Sequence, residues 1–110
     1  MLRDRRLAFL AMSEVRTFRL ADGTGVVAVR GPLDAAAIAE AGVEIERCGS
    51  GGRLVLDLLG VFHVDDSSVE LLLPHLRDRT VTVVATHKLL VRVGLARGIR
   101  MRRTLAAALA

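Results

Sequence analysis

The residues most capable of chemistry lie together in one short segment, 65–70, which reads Asp-Asp-Ser-Ser-Val-Glu. An apolar run that predicts a strand precedes this segment, and an apolar stripe with helical spacing follows it. A hydroxyl or carboxylate at a helix start meets unpaired backbone N–H groups and the positive end of the helix dipole. Ser67 is therefore predicted to be a hydroxyl that a kinase can reach. Ser67 and Glu70 also have the spacing of a capping box, and the two interpretations are compatible.

A hydrolase built from Ser67, Asp65 and either His63 or His75 is the other chemistry that these residue types allow. No nucleophile elbow or oxyanion-hole motif accompanies them. The histidines at 63, 75 and 87 do not have the spacing of zinc ligands on a helix. The single cysteine, Cys48, is predicted to be a small buried hydrophobe on a helix. We therefore expect no catalytic residue, no metal site and no cofactor.

Composition limits the remaining classes of function. The chain has 110 residues, enough for one domain, and 52% of them are hydrophobic. Aromatic residues make up 3%, with no Trp or Tyr, which counts against base-stacking surfaces for single-stranded nucleic acid. No apolar run approaches the roughly 20 residues of a membrane span, so we expect a cytoplasmic protein without a membrane partner. The formal charge of +4 leaves a nucleic-acid surface open, carried by the Arg-rich C-terminal third with Arg92, Arg97, Arg100, Arg102 and Arg103.

Hydrophobic periodicity predicts the element order β-β-α-β-α-β-α-(β)-α, which is typical of an α/β sheet with helices packed on it. Asp34 and Thr104 are predicted as helix N-caps, and Pro74 is expected to kink or shorten its helix. The predicted strands are 18–20, 26–30, 54–59 with its short continuation 61–64, 81–85 and 99–101, and the predicted helices are 35–48, 69–76, a segment around 89–93, and 105–110.

Residues 54–65, Leu-Val-Leu-Asp-Leu-Leu-Gly-Val-Phe-His-Val-Asp, resemble without a gap the strand-and-turn motif of STAS domains, the fold of bacterial anti-sigma factor antagonists. Residues 26–34 resemble the family's upstream strand, which ends in Gly-x-Leu-Asp. Leu90, Val93 and the Gly-Ile pair at 98–99 resemble its last helix and the residues after it. The resemblance covers 15–110 as one STAS-like domain and leaves 1–14 as an N-terminal extension, either flexible or helical. It implies a mixed sheet of four to five strands with about four helices packed mainly on one face.

In that family, the unphosphorylated antagonist binds an anti-sigma factor, which is often also its serine kinase and has an ATPase-type fold. Phosphorylation of a serine at the helix start breaks the complex. The resemblance therefore implies a regulatory protein in transcription and stress response, and not an enzyme. Its implied partner-binding residues are Asp34, Asp65, Asp66, Ser67, Ser68 and Val69.

This chain departs from the family's motif at the position that matters most. In the gapless alignment Asp66 takes the phosphoacceptor position, Ser67 takes the next position, and Ser68 replaces a glycine. The loop after this helix is also shorter by about five residues. The phosphoswitch is thus expected to be altered, with Ser67 as the candidate phosphorylation site, or lost, with Asp66 as a fixed charge. A STAS scaffold or ligand-sensing module that assembles with other STAS proteins is an alternative, and a nucleic-acid-associated accessory protein is a less favoured one.

Overall fold

The computed structural model describes residues 13–48, 52–64, 66–76, 81–86 and 100–110. Within these ranges the element order agrees with the predicted one. The predicted helix around 89–93 lies outside the described residues. The elements are β1 (Glu14–Arg19), β2 (Gly25–Leu33), α1 (Ala35–Arg47), β3 (Leu54–Val64), α2 (Asp66–Leu76), β4 (Val81–Val84), β5 (Arg100–Arg102) and α3 (Leu105–Leu109).

The strands form one mixed five-stranded sheet in the order β1-β2-β3-β4-β5. Strands β1 and β2 form an antiparallel hairpin, and the other neighbouring pairs are parallel. In the hairpin turn, the backbone N–H of Thr24 donates to Oδ1 of Asp22 over 2.9 Å. This hydrogen bond, with smaller help from the Thr24 side chain and the charge of Arg53, lowers the pKa of the Asp22 carboxyl below its ordinary value. The mixed α/β fold class predicted from the sequence is confirmed.

One face of the sheet, called the first face here, carries the larger core. Alternate residues of the strands point to this face, and α1 and α2 cover it. The apolar run of β3 predicts a strand buried on both sides, and its first three residues are indeed buried while alternating between the faces. Cys48 follows α1 as its C-cap residue and packs half-buried against this core. The fully buried core side chains of the first face include Val27, Leu33, Ile38, Ile45, Leu56, Leu58, Leu72 and Val83.

The opposite side of the sheet, called the second face, has a smaller core of Val26, Val55, Val84 and Ala108. Helix α3 covers this core. Thr104 is the N-cap of α3, as predicted, and its Oγ1 accepts a hydrogen bond from the N–H of Ala107 over 3.1 Å. Two of the three described helices therefore lie on the first face and one on the second. No helix in the described part of the chain is both long and apolar enough to cross a membrane.

Helices α1 and α2 approach each other at Gly42. A Cβ atom placed on Gly42 would lie 2.7 Å from the imidazole of His75, so this partly exposed ring would have to move. Glycine leaves room for the ring in its present position, although glycine inside a helix costs about 1 kcal/mol relative to alanine. Pro74 does not end α2, which continues to Leu76. Pro74 cannot donate the i→i−4 helix hydrogen bond, but only two residues of α2 follow it.

Candidate functional site

The carboxyl ends of β2 and β3 lie side by side at one edge of the sheet. The two strands are parallel, and Leu33 is paired with Val64 at their last residues. Asp34 follows β2 directly, and α2 begins at Asp66, two residues after β3 ends. The strand register therefore places the start of α1 and the start of α2 at the same edge of the sheet. Asp65 lies outside the described residues.

Asp34 begins α1 and has a defined structural role. Its Oδ1 accepts a hydrogen bond of 2.9 Å from the N–H of Ala37, and its backbone is extended, as in an N-cap residue. The side chain is half-buried, so part of it remains accessible at this edge of the sheet. The predicted cap is confirmed. A partner contact by the same carboxylate stays a prediction.

Ser67 is exposed in the first turn of α2. Because the helix begins at Asp66, Ser67 is its second residue and not the N-cap, so the capping box with Glu70 expected from the sequence is wrong. Ser68 has the opposite environment, since it is only 2% exposed. A buried position at the helix start requires a small side chain, which agrees with a serine standing where the family motif has glycine. Asp66 and Val69 belong to the same helix by their backbone.

Helix α2 presents an exposed stripe beyond Ser67. Glu70 and Pro74 are exposed, and Leu71 is 53% exposed, so these residues share a face at helical spacing with Ser67. The buried stripe consists of Ser68, Leu72 and Leu76, with Leu73 half-buried beside it. The apolar pattern from the sequence therefore identified the buried side of the helix only in part, because it could not include a buried serine.

Phe62 is the main residue of this edge that the sequence interpretation missed. It is 74% exposed, the most exposed large hydrophobic side chain among the described residues. The register explains this exposure: Gly31 pairs with Val61 and Pro32 with His63, so Phe62 has no counterpart on β2. His63 is also exposed. A bulge leaves no signal in the apolar pattern, which treats Phe62 as one more strand residue.

Of the two histidines considered for a hydrolase arrangement, His75 lies away from Ser67. His75 packs against Gly42, with its Nδ1 4.0 Å from Oε1 of Glu46 on α1. Ser67 lies eight residues earlier on α2, about 12 Å along the helix axis. In the described part of the chain, no three His, Cys, Asp or Glu side chains come together in a way that could hold a metal ion.

The arginines of the C-terminal third lie apart from this edge. Arg100 and Arg102 are exposed on β5, and Arg103 follows them. Strand β4 separates β5 from β3, so these cations do not join the edge that carries Ser67 and Phe62. Arg92 and Arg97 lie outside the described residues.

The fold is similar to two solved structures. One is an anti-sigma factor antagonist from Mycobacterium paratuberculosis, with a TM-score of 0.74 and 23% identity over 90% of this chain and 92% of that chain. The other is the anti-sigma factor antagonist SpoIIAA in its unphosphorylated form, with a TM-score of 0.64 and 15% identity over 86% of this chain and 92% of that chain. No protein-family model matches the chain, and no curated protein matches it. The structural likeness confirms the STAS fold that the sequence resemblance implies.

Proposed function

Starting from the STAS fold that this chain shares with anti-sigma factor antagonists, we propose that it is a regulatory protein of that kind, which binds an anti-sigma factor. The docking surface is the edge where β2 and β3 end, together with the exposed stripe of α2. The observation that carries the proposal is the combination of an exposed hydroxyl and a strongly exposed aromatic ring at this edge, Ser67 and Phe62. The proposed partner is an anti-sigma factor and serine kinase with an ATPase-type fold, which places this protein in the cytoplasm.

The exposed apolar residues supply the affinity in this proposal. Phe62 and Leu71 keep large apolar surfaces in water, and burying such side chains against a partner is worth about 1.5–3 kcal/mol each. Aromatic side chains that fill a partner's pocket are frequent binding hot spots. Asp34 adds a carboxylate at the border of the same surface. Ser68 is buried and contributes through the packing of α2 and not through direct contact.

The charge at the start of α2 supplies the regulation. A phosphate on Ser67 would add about −1.5 to −2 charges to the docking surface, next to the carboxylate of the preceding residue, Asp66. Asp66 itself occupies the phosphoacceptor position of the family motif and carries a permanent single charge. The exposed position of Ser67 favours a switch that has moved by one residue, and the fixed charge of Asp66 is the alternative.

Calorimetric titration with purified ATPase-type anti-sigma factors from the same genome tests the docking surface. We expect one of them to bind, and Phe62→Ser to weaken that binding about tenfold or more. Leu20→Ser is the matched control, because Leu20 is also an exposed apolar residue but lies in the hairpin turn at the other end of the sheet. Absence of binding to every candidate, or equal losses from both substitutions, would contradict the proposal.

Incubation with the binding kinase and ATP, followed by mass spectrometry, tests the regulation separately. Phosphate on Ser67, absent from Ser67→Ala, supports the relocated switch. Phosphate nowhere in the natural chain but present on residue 66 in Asp66→Ser supports the fixed charge. Phosphate on Ser68 in the folded protein would contradict both, because that hydroxyl is buried.

A further inference from the structure

Among the residues that the structure describes, only part of the second face of the sheet is covered. Helix α3 lies over Val26, Val55 and Val84, while a groove of about 490 Å³ remains beside it on β1, β2 and β3. Phe18 is 50% exposed and Leu59 is 41% exposed in this groove. Two large apolar side chains are therefore exposed on the second face, beside the part of that face that forms a core under α3.

The chemistry of the groove specifies the kind of segment that fits it. Its apolar walls come from Phe18, Ala28 and Leu59, and its charged groups are Glu14, Asp57, Arg16 and Arg30. Glu14 is paired with Arg16 on the same strand, and Asp57 accepts a hydrogen bond of 2.9 Å from the N–H of Leu59 through Oδ1. Acidic and basic groups therefore balance in the groove, and a complementary occupant is a segment with consecutive apolar side chains.

Residues 1–12 of this chain have that composition. Residues 7–12 read Leu-Ala-Phe-Leu-Ala-Met, and three arginines stand at positions 3, 5 and 6. The segment also enters the domain beside the groove, because Ser13 donates through its hydroxyl to the carbonyl of Pro32, and the next residue, Glu14, is part of the groove wall. Twelve residues reach about 18 Å as a helix and about 40 Å when extended. The three strands of the groove span about 10 Å, well within that reach.

We propose that residues 1–12 pack across the open part of the second face, with apolar side chains from 7–12 on Phe18 and Leu59. Leaving Leu7, Phe9 and Leu10 in water would forgo about 1.5–3 kcal/mol for each side chain. A segment attached to the groove has an effective concentration in the millimolar range, so it occupies the groove ahead of a second copy of the chain. The inference does not depend on the proposed docking function, which uses another part of the molecule.

The absence of Trp and Tyr from the chain makes a single-tryptophan experiment possible. Phe18→Trp places one indole in the groove of the full-length protein, and acrylamide quenching measures its accessibility. We expect weaker quenching and a blue-shifted emission compared with Val43→Trp, a reporter on α1 at nearly the same exposure, 51%. Adding Phe9→Asp should raise the quenching of the Phe18→Trp reporter and shift its emission to the red, and should leave the Val43→Trp reporter unchanged.

Three outcomes would overturn the inference. Equal quenching of the two reporters would show that the groove is open. Protection that survives Phe9→Asp would show that another element covers it. Protection that appears only as the protein concentration rises would show that a second copy is the occupant. Should Phe18→Trp fail to fold by circular dichroism, Leu59→Trp reports on the same groove and has the same expected results.

Discussion

The two faces of the sheet differ in what covers them, although the same strands supply both. On β2 the neighbours Val26 and Val27 point to opposite faces, and both are buried. On the first face Val27 lies beneath the long helices α1 and α2, whereas on the second face Val26 lies beneath α3, which has five residues. Five helical residues extend about 7.5 Å, which is less than two strand spacings. The shortness of α3 therefore limits how much of the second face this helix can bury.

The largest expected effect comes from one Leu→Ala pair, with one leucine on each face. Leu56 is fully buried on the first face, and Leu56→Ala should lower the free energy of unfolding by about 2–5 kcal/mol because it leaves a cavity among rigid neighbours. Leu105 on α3 is only half-buried, so Leu105→Ala removes the same atoms but should lower the free energy of unfolding by about 1 kcal/mol. Urea denaturation of both variants measures the difference. Equal costs would show that the two faces contribute alike.

The contact between α1 and α2 above the first face gives the next effect. Gly42→Ala should be about 1–2 kcal/mol less favourable when His75 is present than when it is absent, because the new methyl group displaces the imidazole. In a His75→Ala background the same substitution should become neutral or stabilising, since the obstructing ring is gone. Chemical denaturation of the four proteins in this cycle supplies the test. A cost that persists without the imidazole would rule out the steric explanation.

The helix caps extend the comparison to single hydrogen bonds. Asp34→Ala should cost about 1–2 kcal/mol, and Thr104→Ala about 0.5–1 kcal/mol, because Asp34 starts a 13-residue helix while Thr104 starts a short one. Asp34→Asn is the control, since asparagine caps a helix nearly as well. It should keep the thermal midpoint while weakening binding to an anti-sigma factor if the carboxylate touches the partner. A midpoint lowered as much by Asp34→Asn as by Asp34→Ala would show that capping is not the cause.

The smallest effect concerns the hairpin that carries the groove of the second face. The pKa of Asp22 is lowered in the folded protein, so its ionised carboxylate stabilises the fold above its unfolded pKa of about 3.9. That contribution is lost as the pH falls through the lower folded pKa. Asp22→Ala should therefore lower the thermal midpoint slightly at neutral pH, and its difference from the unsubstituted protein should shrink at strongly acidic pH. A difference that does not change with pH would contradict this role.

Much of the fold could be predicted from local patterns along the chain. Alternating and continuous apolar runs predict the strands, and Asp34 and Thr104 predict two helix starts, because these signals depend on neighbouring residues. The short strand predicted near residue 100 is also present in the structure, as β5. The resemblance in 54–65 adds the fold type, which the similarity to solved antagonists confirms.

The sequence proposes where the candidate site lies, but it does not give the environment of each side chain there. Sequence alone determines that a strand is followed by a helix at an acidic and hydroxyl-rich segment, because the apolar pattern of a strand ends there and the apolar pattern of a helix begins. Only the tertiary structure decides that Ser67 is exposed and Ser68 buried, since that depends on the rotation of α2 against the sheet. The register of β3 likewise leaves Phe62 without a counterpart on β2, and the approach of α1 to α2 places His75 against Gly42. Such contacts join residues far apart in the chain, and no local pattern records them.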